Sequence, residues 1–208
     1  MNTHNVGRPV VSAFDFDGTM TRLDTLVPFL FYVVGPATFI RQSFLLLPDV
    51  SSYMLGMISN NALKEKVMAR FFSGIDAELL RSKAARFAVD VLPRLVRSKA
   101  MRRYKWHKSQ GHRCVLISAS LDIYVEPWAD SVGFDDVLSS RLEIQNGCHI
   151  TGRLVGKNCF GGEKCKRLEA LMGDRKRYIL YAYGNGKGDE ELLSMADYAY
   201  FRKMPGNC

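Results

Sequence analysis

Apolar residues recur along the chain with two different spacings, and the change from one to the other marks out the elements. Short β-branched and aromatic runs at residues 10–16, 114–117 and 178–182 predict buried strands, each closed by turn-forming residues. Between the first two, residues 23–111 carry apolar positions three and four apart, the spacing of helices, with breaks at Gly35-Pro36, Pro48, Ser73-Gly74 and Pro93. Asp76 reads as a helix N-cap with Leu79 and Leu80 behind it. Further helices are predicted over 121–132, 163–172 and 190–195, and a last strand over 198–201. Residues 137–144 and 149–154, joined through Asn146-Gly147, predict a hairpin.

Strand, turn and helix therefore alternate as in an α/β fold, a Rossmann-like parallel sheet with helices on both faces. The helical stretch after the first strand is too long for a crossover and predicts an all-helical unit of its own. The expected division is a core of residues 1–24 plus 111–208 and an inserted helical domain over 25–110.

Composition narrows this picture only in places. With 47% hydrophobic residues in 208, the chain can bury a sizeable core. Cys114, Cys148, Cys159, Cys165 and Cys208 are odd in number and lack a CxxC spacing, which predicts five reduced thiols and a cytoplasmic location. His149 with its neighbouring cysteines matches no standard zinc spacing. The net charge of +8 is regional: residues 94–113 hold eight Lys or Arg and no acid, which reads as a solvated helix face. No nucleic-acid motif accompanies it. The first residues lack a signal-peptide pattern, and the uncharged run at 26–40 is too short to span a bilayer. It predicts a buried helix, with weak membrane-surface contact at most. Oligomeric state is not legible.

Ligands of open α/β sheets bind at the carboxyl ends of the strands, so three segments should converge: Asp15 to Thr19, Ser118-Ala119-Ser120, and Gly184 to Asp189. An Asp-x-Asp turn can place one carboxylate on a metal and leave the other for proton transfer, while a third acid completes a hard oxygen site suited to Mg²⁺. A hydroxyl and a lysine would orient and neutralise a phosphoryl group, and an aspartate so held can act as a nucleophile.

These segments, with FDFDGT, ISAS, GGEKCKRL and YGNGKGD in that order, resemble the four motifs of the haloacid dehalogenase superfamily. The resemblance is to its phosphoserine-phosphatase-like branch, subfamily IB, which also shows a segment like EIQNGCHITGRL, and it covers residues 10–200. It implies a Mg²⁺-dependent phosphatase with a phospho-aspartate intermediate at Asp15, which also binds the metal. Asp17 would be the acid and base and would touch the metal through its carbonyl. Ser118 would bind phosphate with the N–H groups of Gly18 and Ala119, and Lys164, rather than Lys166, would pair with phosphate and Asp15. The helical insertion would be the family's cap, a lid that excludes water and selects substrate.

Asn185 stands where the family usually has a metal-binding Asp. The resemblance thus implies metal ligands Asp15, Asp17, Asn185 and Asp189, with weaker binding because an amide brings no charge. Ser120, Glu126, Arg22 and Asp24 are candidates for the pocket mouth, Asp122 for a first-turn helix acid, and Lys187 for solvent. The expected substrate is a small phosphorylated metabolite. A phospholipid head group and a catalytically weak phosphate-binding protein are the alternatives, and a dehalogenase would leave Asp17 and the acidic loop without a task.

Overall fold

The computed structural model describes residues 7–205. Its main strands are β1 (Val10–Phe14), β2 (Arg113–Leu121), β3 (Asp136–Ser140), β6 (Ile179–Gly184) and β7 (Tyr198–Phe201), while β4 (Leu142–Gln145) and β5 (His149–Leu154) form an antiparallel pair apart. The five main strands are parallel, in the order β3-β2-β1-β6-β7. The chain runs outward from β1 to β3 and then returns to lay β6 on β1's other side. The carboxyl end of β1 is thus the switch point where a crevice opens.

Both faces of this sheet are buried, which is why its strands read as continuous apolar runs. Along β1, Val11 and Ala13 enter one core with Val115, Ile117, Leu180 and Ala182, while Phe14 enters the other with Leu116 and Tyr183. Helices α8 (Gly162–Met172) and α9 (Glu190–Ser194) cover the first core through Leu168, Leu192 and Leu193. The second is covered by α6 (Ser98–Ser109), α7 (Asp122–Val132) and the inserted helices α1 (Leu26–Val34), α2 (Pro36–Met54), α3 (Asn60–Phe72) and α4 (Ala77–Asp90). A four-residue turn of helix, α5 (Leu92–Leu95), leads from α4 back towards the sheet. Phe29 of α1 packs on Tyr124 of α7 and Phe87 of α4, with ring centroids 4.6 and 5.1 Å apart, so the insertion and the sheet share one core.

Several expectations change in detail. The first strand ends at Phe14, and Asp15 and Phe16 already belong to the following turn, although the Asp15 N–H still bonds the Tyr183 carbonyl at 2.9 Å. Strand β2 runs on through Ser118 to Leu121, with an irregular register against β3 after Ile117. The predicted arm at 137–144 is two strands: β3 joins the main sheet, and β4 alone pairs with β5. Leu138, Leu142 and Ile144 stand an even number of residues apart, as they would along one strand, and this hides the junction. At the junction the buried Ser140, still paired with Leu121, donates its hydroxyl to Asn158 Oδ1 at 2.7 Å and accepts from the Cys159 N–H at 2.9 Å. The Asn146-Gly147 turn forms as expected, both residues left-handed. Cys114, Cys148, Cys159 and Cys165 are free, and Cys208 lies outside the described residues.

Helix α6 is not the purely solvated face that its charge predicts. It lies on the sheet, where Tyr104 packs edge-on against Phe14, and Arg103 and His107 are buried. Arg103 Nε donates to the Tyr183 hydroxyl at 2.6 Å. Arginine only donates, so the hydroxyl passes its own proton to His107 Nε2 at 2.8 Å, and His107 Nδ1 donates to His112 Nδ1 at 2.7 Å. Burial first, then the charges of Arg103 and His112, push His107 down to about 3. The unfolded chain takes up this proton near pH 6.5, so below that value it binds a proton that the fold refuses, and stability falls as pH drops toward 3. His107→Gln is therefore expected to flatten the fall in Tm between pH 7 and 5. Equal slopes in thermal melts of the two proteins would refute the assignment.

Candidate active site

The turn after β1 is shaped by Gly18, which is left-handed at φ 73°. A Cβ there would collide with the Asn185 side-chain amide, so glycine lets the first and last motif loops touch. Gly184 serves the same end: its Cβ would stand 2.5 Å from that of Asp189. Asp189 can then fold back over its own loop, where Oδ2 accepts from the N–H groups of Asn185 at 2.9 Å and Gly186 at 3.1 Å.

Helix α8 is capped by Gly161 and carries Lys164 in its first turn, 2% exposed. Its ammonium donates to Asp15 Oδ1 at 2.7 Å and to Asp189 Oδ1 at 2.6 Å. Lys166 is exposed, as is Lys187 at the cavity rim. Burial alone would push the Lys164 ammonium down, but the two carboxylates outweigh it and hold it charged. Burial likewise pushes the Asp15 carboxyl up against the pull of Lys164.

Asp17 faces the other wall. Its Oδ1 accepts from the Thr25 N–H at 2.8 Å and the Thr25 hydroxyl at 2.7 Å, and its Oδ2 accepts from the Ser120 hydroxyl. Thr25 gives its proton to Asp17 and so receives one from the Tyr124 hydroxyl, 3.1 Å away. Burial, then the charge of Asp24, pushes the Asp17 carboxyl up to about 7. Ser118 is buried, with Oγ accepting from the Ser120 N–H at 2.9 Å. The Gly18 N–H, expected on phosphate, donates to Thr21 Oγ1 at 3.3 Å.

Asp15, Asp17, Ser118, Ala119, Lys164 and Asp189 line one cavity of about 400 Å³. Asn185, Ser120 and Asp24 line it too. Glu126 lies instead against Ser139 in a separate depression, Arg22 is exposed, and Asp122 is a first-turn acid of α7 paired with Arg141.

Two residues that sequence reasoning passed over complete the walls. Lys64 of α3 reaches in to donate to the Ala119 carbonyl and to Asn158 Oδ1 at 3.1 Å. Burial pushes it down to about 8. Asn158 also donates to Asn60 Oδ1 at 2.7 Å, tying the start of α3 to the sheet edge. Within α3, Lys64 reads as one more solvated charge between Leu63 and Val67, and the only local signal for Asn158 is its place six residues before Lys164.

Among the described residues, no three His, Cys, Asp or Glu side chains are grouped so as to hold a metal. The donors that line the cavity are of mixed kind: the Asp15 carboxylate, the Asn185 amide, the Asp17 carboxylate, already held by Thr25 and Ser120, and the Asp24 carboxylate at the rim. Both oxygens of Asp189 already have partners in Lys164 and its own loop. The Asp15 carboxylate with the neutral Asn185 amide fits Mg²⁺, which retains waters and binds through one or two carboxylates and a substrate phosphate.

Residues 13–194 match the haloacid dehalogenase-like hydrolase family. Protein CicA of Caulobacter vibrioides (strain NA1000 / CB15N) is 34% identical over 203 residues, covering 95% of this chain and 89% of its own. A protein of unknown function from Bordetella pertussis Tohama I superposes with a TM-score of 0.75 at 22% identity, over 90% of this chain and 86% of that one. A phosphoserine phosphatase solved as an analogue of its phospho-aspartyl intermediate gives a TM-score of 0.60 at 16% identity, over 91% of this chain and 84% of that one.

Proposed function

The chain belongs to the haloacid dehalogenase-like hydrolase family, and on that footing we propose that it is a Mg²⁺-dependent phosphatase that hydrolyses phosphomonoesters through a phospho-aspartate at Asp15. The observation that carries this reading is the buried Asp15–Lys164–Asp189 chain facing Asp17 across one cavity. A lysine clamped between two carboxylates stays charged and fixes the Asp15 carboxylate beside a cation on which a phosphate would sit. The Asp15 oxygen not engaged by Lys164 attacks phosphorus, and the bond from phosphorus to the ester oxygen breaks. Protonated Asp17 gives its proton to that oxygen as the alcohol leaves. Asp17 then takes a proton from water as the water oxygen attacks phosphorus, releasing phosphate and restoring Asp15. Ser118 binds a phosphate oxygen beside Ala119, while the Gly18 N–H, held by Thr21, would have to leave that bond to join them. Helices α1 to α4 act as the cap, and Lys64 with Asn158 latches α3 over the cavity. The free thiols fit a reducing compartment such as the cytosol.

Asp15, the Asp17 carbonyl and Asn185 would hold Mg²⁺, with Asp189 orienting the loop and bound water. The ion would supply positive charge that offsets phosphate repulsion. Release of phosphate from an aryl phosphate should therefore stop in excess chelator and return with millimolar Mg²⁺. Asn185→Asp, which adds a formal charge to the site, is expected to lower the half-saturating Mg²⁺ concentration by roughly tenfold, no less than the effect of altering a residue that only supports a ligand. Phosphate release indifferent to chelation, in folded protein, would remove the metal from the account. No release above an Asp15→Asn control would instead favour a phosphate-binding protein without turnover.

A further inference from the structure

A second cavity, of about 910 Å³, adjoins the first. The two meet at Asp24, which lines both, and the consecutive residues Leu26 and Val27 of α1 face one each. Helix α1 ends at Val34 and α2 starts at Pro36, with Gly35 as the corner between them, so the two helices diverge from that corner and their apolar faces form the walls. Phe31 and Phe39 meet across the groove with ring centroids 5.6 Å apart. Among the ten described residues lining it, Asp24 alone carries a charge and Tyr32 alone adds a hydroxyl, so the groove is apolar along most of its length. Val27 and Phe31 remain 54% and 48% exposed. Contiguous apolar surface left open beside a catalytic cavity marks a binding site rather than ordinary surface.

We propose that this groove holds the hydrocarbon tail of the substrate, so that the phosphomonoester cleaved at Asp15 is an amphiphile whose phosphate enters the polar cavity while its chain lies along α1 and α2. This inference rests on the phosphatase reading above. The polar cavity grips the phosphate and the groove discriminates by chain length. At full burial each methylene taken from water is worth about a fourfold gain in binding, and in a groove open on one side about half of that.

The test is kcat/KM for n-alkyl phosphates from ethyl to octyl, each kept below its micelle-forming concentration, with Mg²⁺ present. The octyl-to-ethyl ratio should reach at least roughly tenfold over six added methylenes. Val27→Asp and Phe31→Ser should bring that ratio close to one, whereas Met54→Ser, which is exposed and outside the groove, should leave it unchanged. Reading a ratio separates tail recognition from any general loss of activity in a variant. A flat series with ethyl phosphate still turned over would overturn the tail site and leave the phosphatase standing. So would a gain seen only with lipid phosphates embedded in vesicles, which would mark the face as a membrane contact. Turnover of no member above the Asp15→Asn control would instead overturn the phosphatase.

Discussion

Replacing Asp15 with asparagine is expected to leave the protein folded and to lower phosphate release by roughly 10⁴-fold or more, the scale seen when a nucleophile is removed. The expectation follows from what the substitution keeps. Asparagine has the same shape, and its Oδ1 can still accept from Lys164, 2.7 Å from the present carboxylate. The Asp15 main-chain bond to the Tyr183 carbonyl is untouched, so the turn after β1 should hold its form. What is lost is a negatively charged oxygen able to bond to phosphorus, and neither of the other two buried carboxylates of the cavity stands free to replace it. Asp17 is held by Thr25 and Ser120, and Asp189 by Lys164 and its own loop. Steady-state release of inorganic phosphate, with circular dichroism to confirm the fold, measures the loss. Activity within tenfold of the natural protein would assign the nucleophile elsewhere.

The second large effect is expected for Lys164→Met, and it should be felt in stability as well as activity. Lys164 is 2% exposed and bonds two carboxylates that are themselves buried. Methionine fits the volume but leaves Asp15 and Asp189 facing one another without a cation. Breaking a buried ion pair by removing one partner costs about 3–5 kcal/mol, much more than a surface pair would. Part of this is recovered if one carboxylate takes up a proton, so the cost should shrink as pH falls. Urea unfolding at pH 7.5 and 5.5 would show both the loss and its narrowing. Phosphate release should drop by roughly 10²- to 10³-fold, as for other groups that stabilise developing charge. A variant as stable as the natural protein at both pH values would mean that the triad is not the electrostatic centre of the site.

Much of this site was legible because its residues sit where strands end. Asp15, Ser118 and Asp189 are each preceded by an apolar run that must be buried, and parallel strands bring their carboxyl ends to one edge. Lys164 was legible only through its order among the motifs, since a lysine in EKCKR gives no sign of burial by itself. The limits are equally physical. Arg103 and His107 lie in a basic segment, and nothing local shows that they turn inward to Tyr183, a partner about 80 residues away. Lys64 and Asn158 meet over a separation of 94 residues, which helical periodicity cannot see. The split of residues 136–145 between two sheets was hidden because Leu138, Leu142 and Ile144 stand an even number of residues apart, as they would along one strand. Nothing local to Gly18 or Gly184 shows that a side chain of the closing motif loop, Asn185 and Asp189 respectively, leaves no room for a Cβ there.

The claim on which the rest depends is a covalent phospho-Asp15, and trapping it is the most direct test. The protein would be mixed with an aryl phosphate and Mg²⁺, quenched in acid within one turnover, digested, and its peptides weighed. The account predicts the mass of one phosphoryl group on the peptide containing Asp15, lost on treatment with hydroxylamine and absent from the Asp15→Asn protein. Sustained phosphate release with that peptide unmodified at every quench time, or the phosphoryl group found on another residue, would contradict it.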